Sequence, residues 1–185
     1  MIQSLNRTAT LWHDLETMRV PGIEGVYIPA ETCGRFWAIV SVRQRYPGHS
    51  NHVGNAVIAT TTGHYGLKGV IVVDHDIAVD DWDRIWWALS TRFDPKRDAQ
   101  IIDRGRSTPL DPSLPIDARD ITSRIILDAC TPYEWKDKPN EIFMDRTVLQ
   151  KVSDRWNEYG FEGSSPVANM IDRLVRPEPV KKAGK

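Results

Sequence analysis

The chain has 185 residues, enough for one domain with a real core and few for two. Its 24 lysines and arginines nearly balance its 25 aspartates and glutamates, so no global charge points to nucleic acid and no acidic block to a solvating tail. No apolar run approaches membrane-spanning length, the N-terminus has no signal-peptide pattern, and Cys33 and Cys130 have no metal-type spacing. A cytoplasmic, reduced, disulfide-free protein is expected. Seven Trp residues imply a large core, a substantial interface, or both.

Residues 2–19 read as a helix, with Leu5, Trp12, Leu15 and Met18 on one side and Pro21-Gly22 ending it. "GVYIP" (25–29) is a short strand and "RFWAIVSV" (35–42) a firmer one, apolar on both alternating faces and so covered on both. "YPGHS" (46–50) is a turn, with Ser50 as the expected N-cap of a helix ending near Gly63. "GVIVV" (69–73) is a continuous apolar strand of the kind buried on both faces. It runs into Asp74-His75-Asp76, where α/β sheets commonly bind ligands. Three consecutive residues cannot all point one way, so acids that orient the turn are the simpler reading.

A helix follows from Trp82 to Phe93. Asp80, Asp81 and Asp83 crowd its start, and Arg92, Lys96 and Arg97 its end, as helix electrostatics favour. Trp82, Ile85, Trp86, Leu89 and Phe93 form one stripe expected to pack on the sheet. Trp87 and Thr91 then point away and predict an interface, the alternative being a lone exposed or folded-over Trp. "AQII" (99–102) is a short strand, 103–122 a long loop, and "SRIILDA" (123–129) a further strand, with Arg124 placed to pair with Asp128 or an interface acid. Asp145 is the expected cap of a last helix carrying Val148, Val152, Trp156 and Tyr159, closed by Gly160. "RPEPVKKAGK" at the end is expected to be mobile.

The order strand, helix, strand, helix, strand predicts an α/β fold with parallel crossovers. The full expectation is a mixed, largely parallel sheet flanked by helices. A linker helix spans 1–20, the α/β domain 21–160, and a partly flexible C-terminal extension 161–185. His49 and His52 read as a turn and a helix-start residue rather than a metal pair. Cys33 and Cys130 read as core thiols, because neither has an adjacent His or basic cluster.

One family resembles this pattern. "GVIVVDHDIAVDDWDRIWWALSTRFDPKRD" (69–98) is similar to a stretch of the UbiD-type decarboxylases. There an apolar strand leads into an acidic turn, a W-A-x-[ST]-T-R helix and a D-P-x-x-D segment. Trp87-Ala88-Leu89-Ser90-Thr91-Arg92 is the helix motif here. "YIPAETCGRFWAIVSVRQRYPGHSNHVG", "STPLDPS" and "SRIILDACTP" resemble three further family segments, in order, over about residues 22–160.

The resemblance implies the C-terminal α/β domain alone of an enzyme that adds or removes CO2 at unsaturated carbon. Such enzymes act on aromatic or α,β-unsaturated acids, using prenylated FMN with a divalent metal of the Mn2+ type and K+. The family's catalytic Glu-Arg-Glu set and its metal ligands belong to the part without a counterpart here. The chain is therefore expected not to decarboxylate alone, but to be a small subunit or a fragment joined to a larger flavin-bearing chain in a homo- or hetero-oligomer. Its expected roles are pocket wall and subunit contact, with a non-catalytic assembly or regulatory module as the alternative. A small-ligand binder using Asp74–Asp76 is the third reading.

By position in the family, Thr108, Pro109 and Leu110 border the substrate pocket, Leu110 as a gate or, alternatively, as an ordinary loop anchor, and the smaller Thr108 leaves room for a larger or more polar substrate. The connection 60–66 lies near the flavin phosphate. Thr62 stands where several members carry a cation and can donate a hydrogen bond but no charge; Lys68 or His64 is the candidate substitute, the alternative for both being a solvated surface residue.

Overall fold

The computed structural model describes residues 1–175, in two compact units, Met1–Lys136 and Asp137–Lys185; the C-terminal stretch 176–185 lies outside the described residues. The first unit is built on five strands: β1 (Ile23–Tyr27), β2 (Trp37–Val42), β3 (Gly69–Asp74), β4 (Ala99–Arg106) and β5 (Ile121–Ala129). They lie side by side as β1-β2-β3-β5-β4. The central β2, β3 and β5 are parallel, and the outer β1 and β4 are antiparallel to their neighbours. The sheet is therefore mixed and flanked by helices, as expected.

Strand β4 departs from the expected simple crossover. It pairs with β5, not β3, and continues to Arg106 past a bulge between Ile102 and Gly105. An antiparallel edge strand carries little apolar sequence, because one of its sides has no neighbour, so the half beyond Ile102 reads as loop. The irregular segment shrinks to residues 107–120.

Helix α1 (Ile2–Thr17) and helix α2 (His49–Ala59) cover one face of the sheet. Leu11, Leu15, Val40, Val42, Val53, Val57, Val70, Val72 and Ile126 are fully or almost fully buried there. Each such side chain contributes about 2 kcal/mol of transfer free energy. The α1 stripe is rotated from the expected one: Ser4, Leu11 and Leu15 are buried, whereas Leu5 and Met18 are exposed. The reason is polar. The Ser4 hydroxyl donates to the Ile28 carbonyl (2.5 Å), and the Thr8 hydroxyl accepts the Ile28 N–H (2.9 Å). These two hydroxyls satisfy backbone that leaves β1, and so set the rotation of the helix. Helix α2 starts at His49 after Gly48 (φ +75°), so Ser50 is not its cap; its hydroxyl donates instead to the half-buried Asp128 carboxylate.

The opposite face is only partly covered. Helix α3 (Trp82–Thr91) places Ile85 and Ala88 over Ile39, Ile71, Val73 and Ala129. Asp81 caps it by accepting the Arg84 N–H, and the one-turn helix α4 (Pro95–Asp98) leads into β4. Beyond α3, a cleft of about 730 Å3 opens between Phe36, Trp37, Ile101 and Ile125, with Lys68 and Asp111 at its rim. The Trp37 ring lies flat on Gly69, where any Cβ would come within 2.4 Å of it, so this strand position takes only glycine.

The second unit carries α5 (Arg146–Asp154), capped by Asp145 through the Thr147 and Val148 N–H groups, and α6 (Ile171–Leu174). The stripe expected to run to Tyr159 is broken, since α5 ends at Asp154 and a 3-10 turn over Trp156–Tyr159 follows, closed by Gly160 (φ +86°). Leu149 is its buried residue, and Trp156 stacks on Phe161. Among the described residues no helix is long and apolar enough to cross a membrane.

Candidate functional site

The two ends of the parallel strands differ in chemistry. At the carboxyl end, Asp74 is buried and accepts from Gln44 Nε2 (2.8 Å), the Thr131 N–H (2.8 Å) and Arg92 (3.3 Å). Asp76 takes both arms of Arg92 (3.0 and 2.6 Å). Burial pushes the Asp76 pKa up, but the Arg92 hydrogen bonds and charge outweigh it and hold the carboxyl below its usual range. Nearby, burial raises the Asp128 pKa and pushes the Cys130 thiol well up, away from thiolate reactivity. These acids brace the loops that leave β3 and β5. This arrangement matches the simpler reading of Asp74 and Asp76 as acids that orient the turn, not the third reading of a ligand site there.

Trp87 belongs to the same end. Its ring does not turn away from the sheet. It folds along the flank of α3 onto the apolar cluster, with the Arg84 guanidinium 4.3 Å and the Arg92 guanidinium 4.9 Å from its centroid. Two cations stacked on one indole, one of them tied to Asp74 and Asp76, account for the reversal. Trp86, expected on the sheet, is 64% exposed, and Thr91 is exposed with its hydroxyl on the Trp87 carbonyl (2.8 Å). Among the described residues Arg124 pairs with neither Asp128 nor another acid; it is buried and donates to the His64 and Arg106 carbonyls.

At the amino end, two connections meet: residues 60–66 before β3 and residues 107–120 between β4 and β5. Thr62 gives its N–H to Asp14 (2.8 Å), and its carbonyl accepts from Arg7 (3.0 Å), which also reaches the Tyr65 carbonyl (3.2 Å). His64 Nδ1 bonds the Thr61 carbonyl (2.7 Å), and Arg106 lies 3.5 Å from its Nε2 and 4.9 Å from the Tyr65 ring centroid. Gly66 has φ +95°, and Arg35 passes beside it to donate to the buried Thr108 hydroxyl (3.3 Å). Lys68 leaves this group and pairs with buried Asp111 (3.1 Å), which also accepts the N–H and hydroxyl of Ser113. Burial raises the Asp111 pKa; Ser113 and Lys68 more than reverse it.

Of the expected site residues, Lys68 and Thr108 thus serve one loop, Thr62 and His64 line its neighbour, and Pro109 and Leu110 stand out from the surface, Leu110 at 63% exposure. Trp87 and Thr91 lie apart, at the far end of the sheet. Arg7, Arg35 and Arg106 were not expected. Their positions follow no periodicity, and only the folded chain brings them to one loop. No carboxylate among the described residues lies in salt-bridge range of Arg7, Arg35, Arg106 or Arg124. Burial, and then the charge of Arg35, lower the pKa of Arg7. A set of guanidinium groups with no internal counter-charge fits an anionic group such as a phosphate ester. Among the described residues no three His, Cys, Asp or Glu side chains come together as a metal site.

Residues 1–129 match the 3-octaprenyl-4-hydroxybenzoate carboxy-lyase C-terminal domain. The chain belongs to this UbiD family. Among solved structures, the UbiD-type chain is similar to the vanillic acid decarboxylase of Sedimentibacter hydroxybenzoicus in its closed form. Identity is 29%, with 86% of this chain and 33% of that one covered and a TM-score of 0.66. The apo 3,4-dihydroxybenzoic acid decarboxylase of Klebsiella pneumoniae is 25% identical, with 80% and 32% covered and a TM-score of 0.63. The UbiD-class enzyme HmfF of Pelotomaculum thermopropionicum, in complex with FMN, shares the fold at 24% identity and a TM-score of 0.68, with 78% and 31% covered. The UbiD-type chain spans about a third of the length of these solved chains.

Proposed function

We propose that this chain is the C-terminal domain or small subunit of a UbiD-type decarboxylase or carboxylase, acting reversibly on an aromatic or α,β-unsaturated carboxylic acid. The larger, flavin-bearing chain or domain supplies the catalytic Glu and Arg residues, the Mn2+-type metal and K+. This chain supplies Thr108, Pro109 and Leu110 as pocket wall and a contact surface for assembly. The outer face of α3, with Trp86 and Thr91 exposed, serves that contact better than the folded-over Trp87.

The observation that carries the reading is the arginine set around residues 60–66, beside the Thr108 loop and without carboxylate partners. Arg7, Arg35 and Arg106 would face the phosphate end of prenylated FMN. Thr62 gives its N–H to Asp14 and Lys68 is engaged by Asp111, so the arginines carry the positive charge in this reading. His64 remains at the edge of the same group. When bound, the flavin supplies the electron sink for making or breaking the bond to CO2.

Isolation of the endogenous complex tests the reading. A larger chain with flavin absorbance should co-purify and release CO2 from an aromatic acid. A colourless homo-oligomer without turnover would contradict it.

A further inference from the structure

We propose that Arg119 and Arg35 are positioning residues that hold the Leu110 backbone in one place, so that this loop is a fixed part of the pocket wall and does not swing as a gate. The assignment of Leu110 to a pocket rests on the function proposed above; the bracing is a property of this chain alone.

The base of the loop is closed by the Ser107 N–H on the Asp120 carbonyl (2.9 Å). Ser107, Thr108 and Asp111 are buried, and only Pro109 and Leu110 stand between the last two. Thr108 is tied three ways. Its hydroxyl accepts from Arg35 (3.3 Å) and from the Leu110 N–H (3.3 Å), and its carbonyl accepts the Asp111 N–H (3.0 Å). Asp111 is fixed from the other side by Lys68 and Ser113. Arg119 then bridges the loop from outside, with Nη1 on the Pro109 carbonyl (2.7 Å) and Nε on the Leu114 carbonyl (3.1 Å). The planar guanidinium holds two carbonyls five residues apart at a set spacing. Proline fixes one more backbone angle next to Leu110.

Swinging the loop that carries Leu110 aside needs a change in the backbone at Pro109 or Leu110. Any such change breaks the Arg119 bridge or the Thr108 turn. An apolar side chain held exposed on polar anchors fits a fixed contact that reads the size of what lies against it.

Nitrogen-15 relaxation on the full chain tests this without turnover. Leu110 should show an order parameter of about 0.85, like rigid backbone, whereas a value below about 0.6 would overturn the proposal. Arg119→Gln should lower the Leu110 value while leaving β3 and the melting temperature unchanged. Arg119→Lys, able to reach one carbonyl, should restore part of it. An unmoved Leu110 in both Arg119→Gln and Arg35→Gln would overturn the positioning role. In the assembled enzyme, Arg119→Gln should change the kcat/KM ratio between a small and a larger aromatic acid by about tenfold, through KM more than kcat. Equal losses for both acids would overturn the wall assignment. A rigid Leu110 in an assembly that releases no CO2 would refute the functional reading and leave the bracing intact.

Discussion

At the carboxyl end of the parallel strands, the acids meet their donors inside the chain; at the amino end, arginines gather with no carboxylate in salt-bridge range among the described residues. Asp74 and Asp76 share Arg92, and Asp128 takes Ser50. Arg7, Arg35, Arg106 and Arg124 find carbonyls, a hydroxyl and a ring. Position in an α/β sheet alone favours the carboxyl end as a binding site. The function proposed above takes the other end, on the ground that the acids at the carboxyl end already have their donors.

The strongest test of the matched end is Asp74→Ala. It leaves Arg92, Gln44 and the Thr131 N–H without their shared acceptor, and should cost about 3–5 kcal/mol in denaturant unfolding. A change within about 0.5 kcal/mol would show that the network contributes nothing to stability.

Next in size is the pair of adjacent tryptophans. Trp87→Ala should destabilise the chain by about 2–3 kcal/mol, because its ring packs on the core between Arg84 and Arg92. Trp86→Ala should change the stability of the isolated chain by less than about 0.5 kcal/mol. Equal effects would contradict the orientation described. A shift in oligomeric state with Trp86→Ala, and none with Trp87→Ala, would sharpen the assignment of the outer α3 face to subunit contact.

The smallest expected effect is on pH dependence. Burial lowers the pKa of His49 below its ordinary 6.5, and its Nδ1 accepts the Arg45 N–H (3.1 Å). The unfolded chain therefore binds that proton first. The contribution of His49 is complete above pH 6.5 and is lost as pH falls through the depressed folded value. Asp111 behaves alike lower down, complete above the ordinary carboxylate range and lost below it. His49→Gln should flatten the melting-temperature profile just below pH 6.5 and leave the acid limb unchanged. An unaltered profile would contradict this.

Much of the first unit was legible in the sequence. The runs "FWAIVSV" and "GVIVV" are central strands because only strands covered on both faces carry continuous apolar residues, and Asp81 caps the helix it precedes, as Asp145 does in the second unit. The rotation of α1 was not legible, since Ser4 and Thr8 read as polar surface until the Ile28 backbone is there to meet them. Nor was the orientation of α3: helical spacing fixes where Cβ points, and a long flat indole can still fold back over the flank. The loop "STPLDPS" was recognisable by its resemblance, but Arg35, Arg119 and Lys68, which secure it, come from three other places in the chain.

The most direct test of the central claim is CO2 release from an aromatic acid by the co-purifying flavin-bearing chain, measured with and without this 185-residue chain. Turnover should need both polypeptides and fall when Arg7, Arg35 and Arg106 are replaced together by Gln. Full activity of the larger chain alone, or any turnover by this chain alone, would contradict the account.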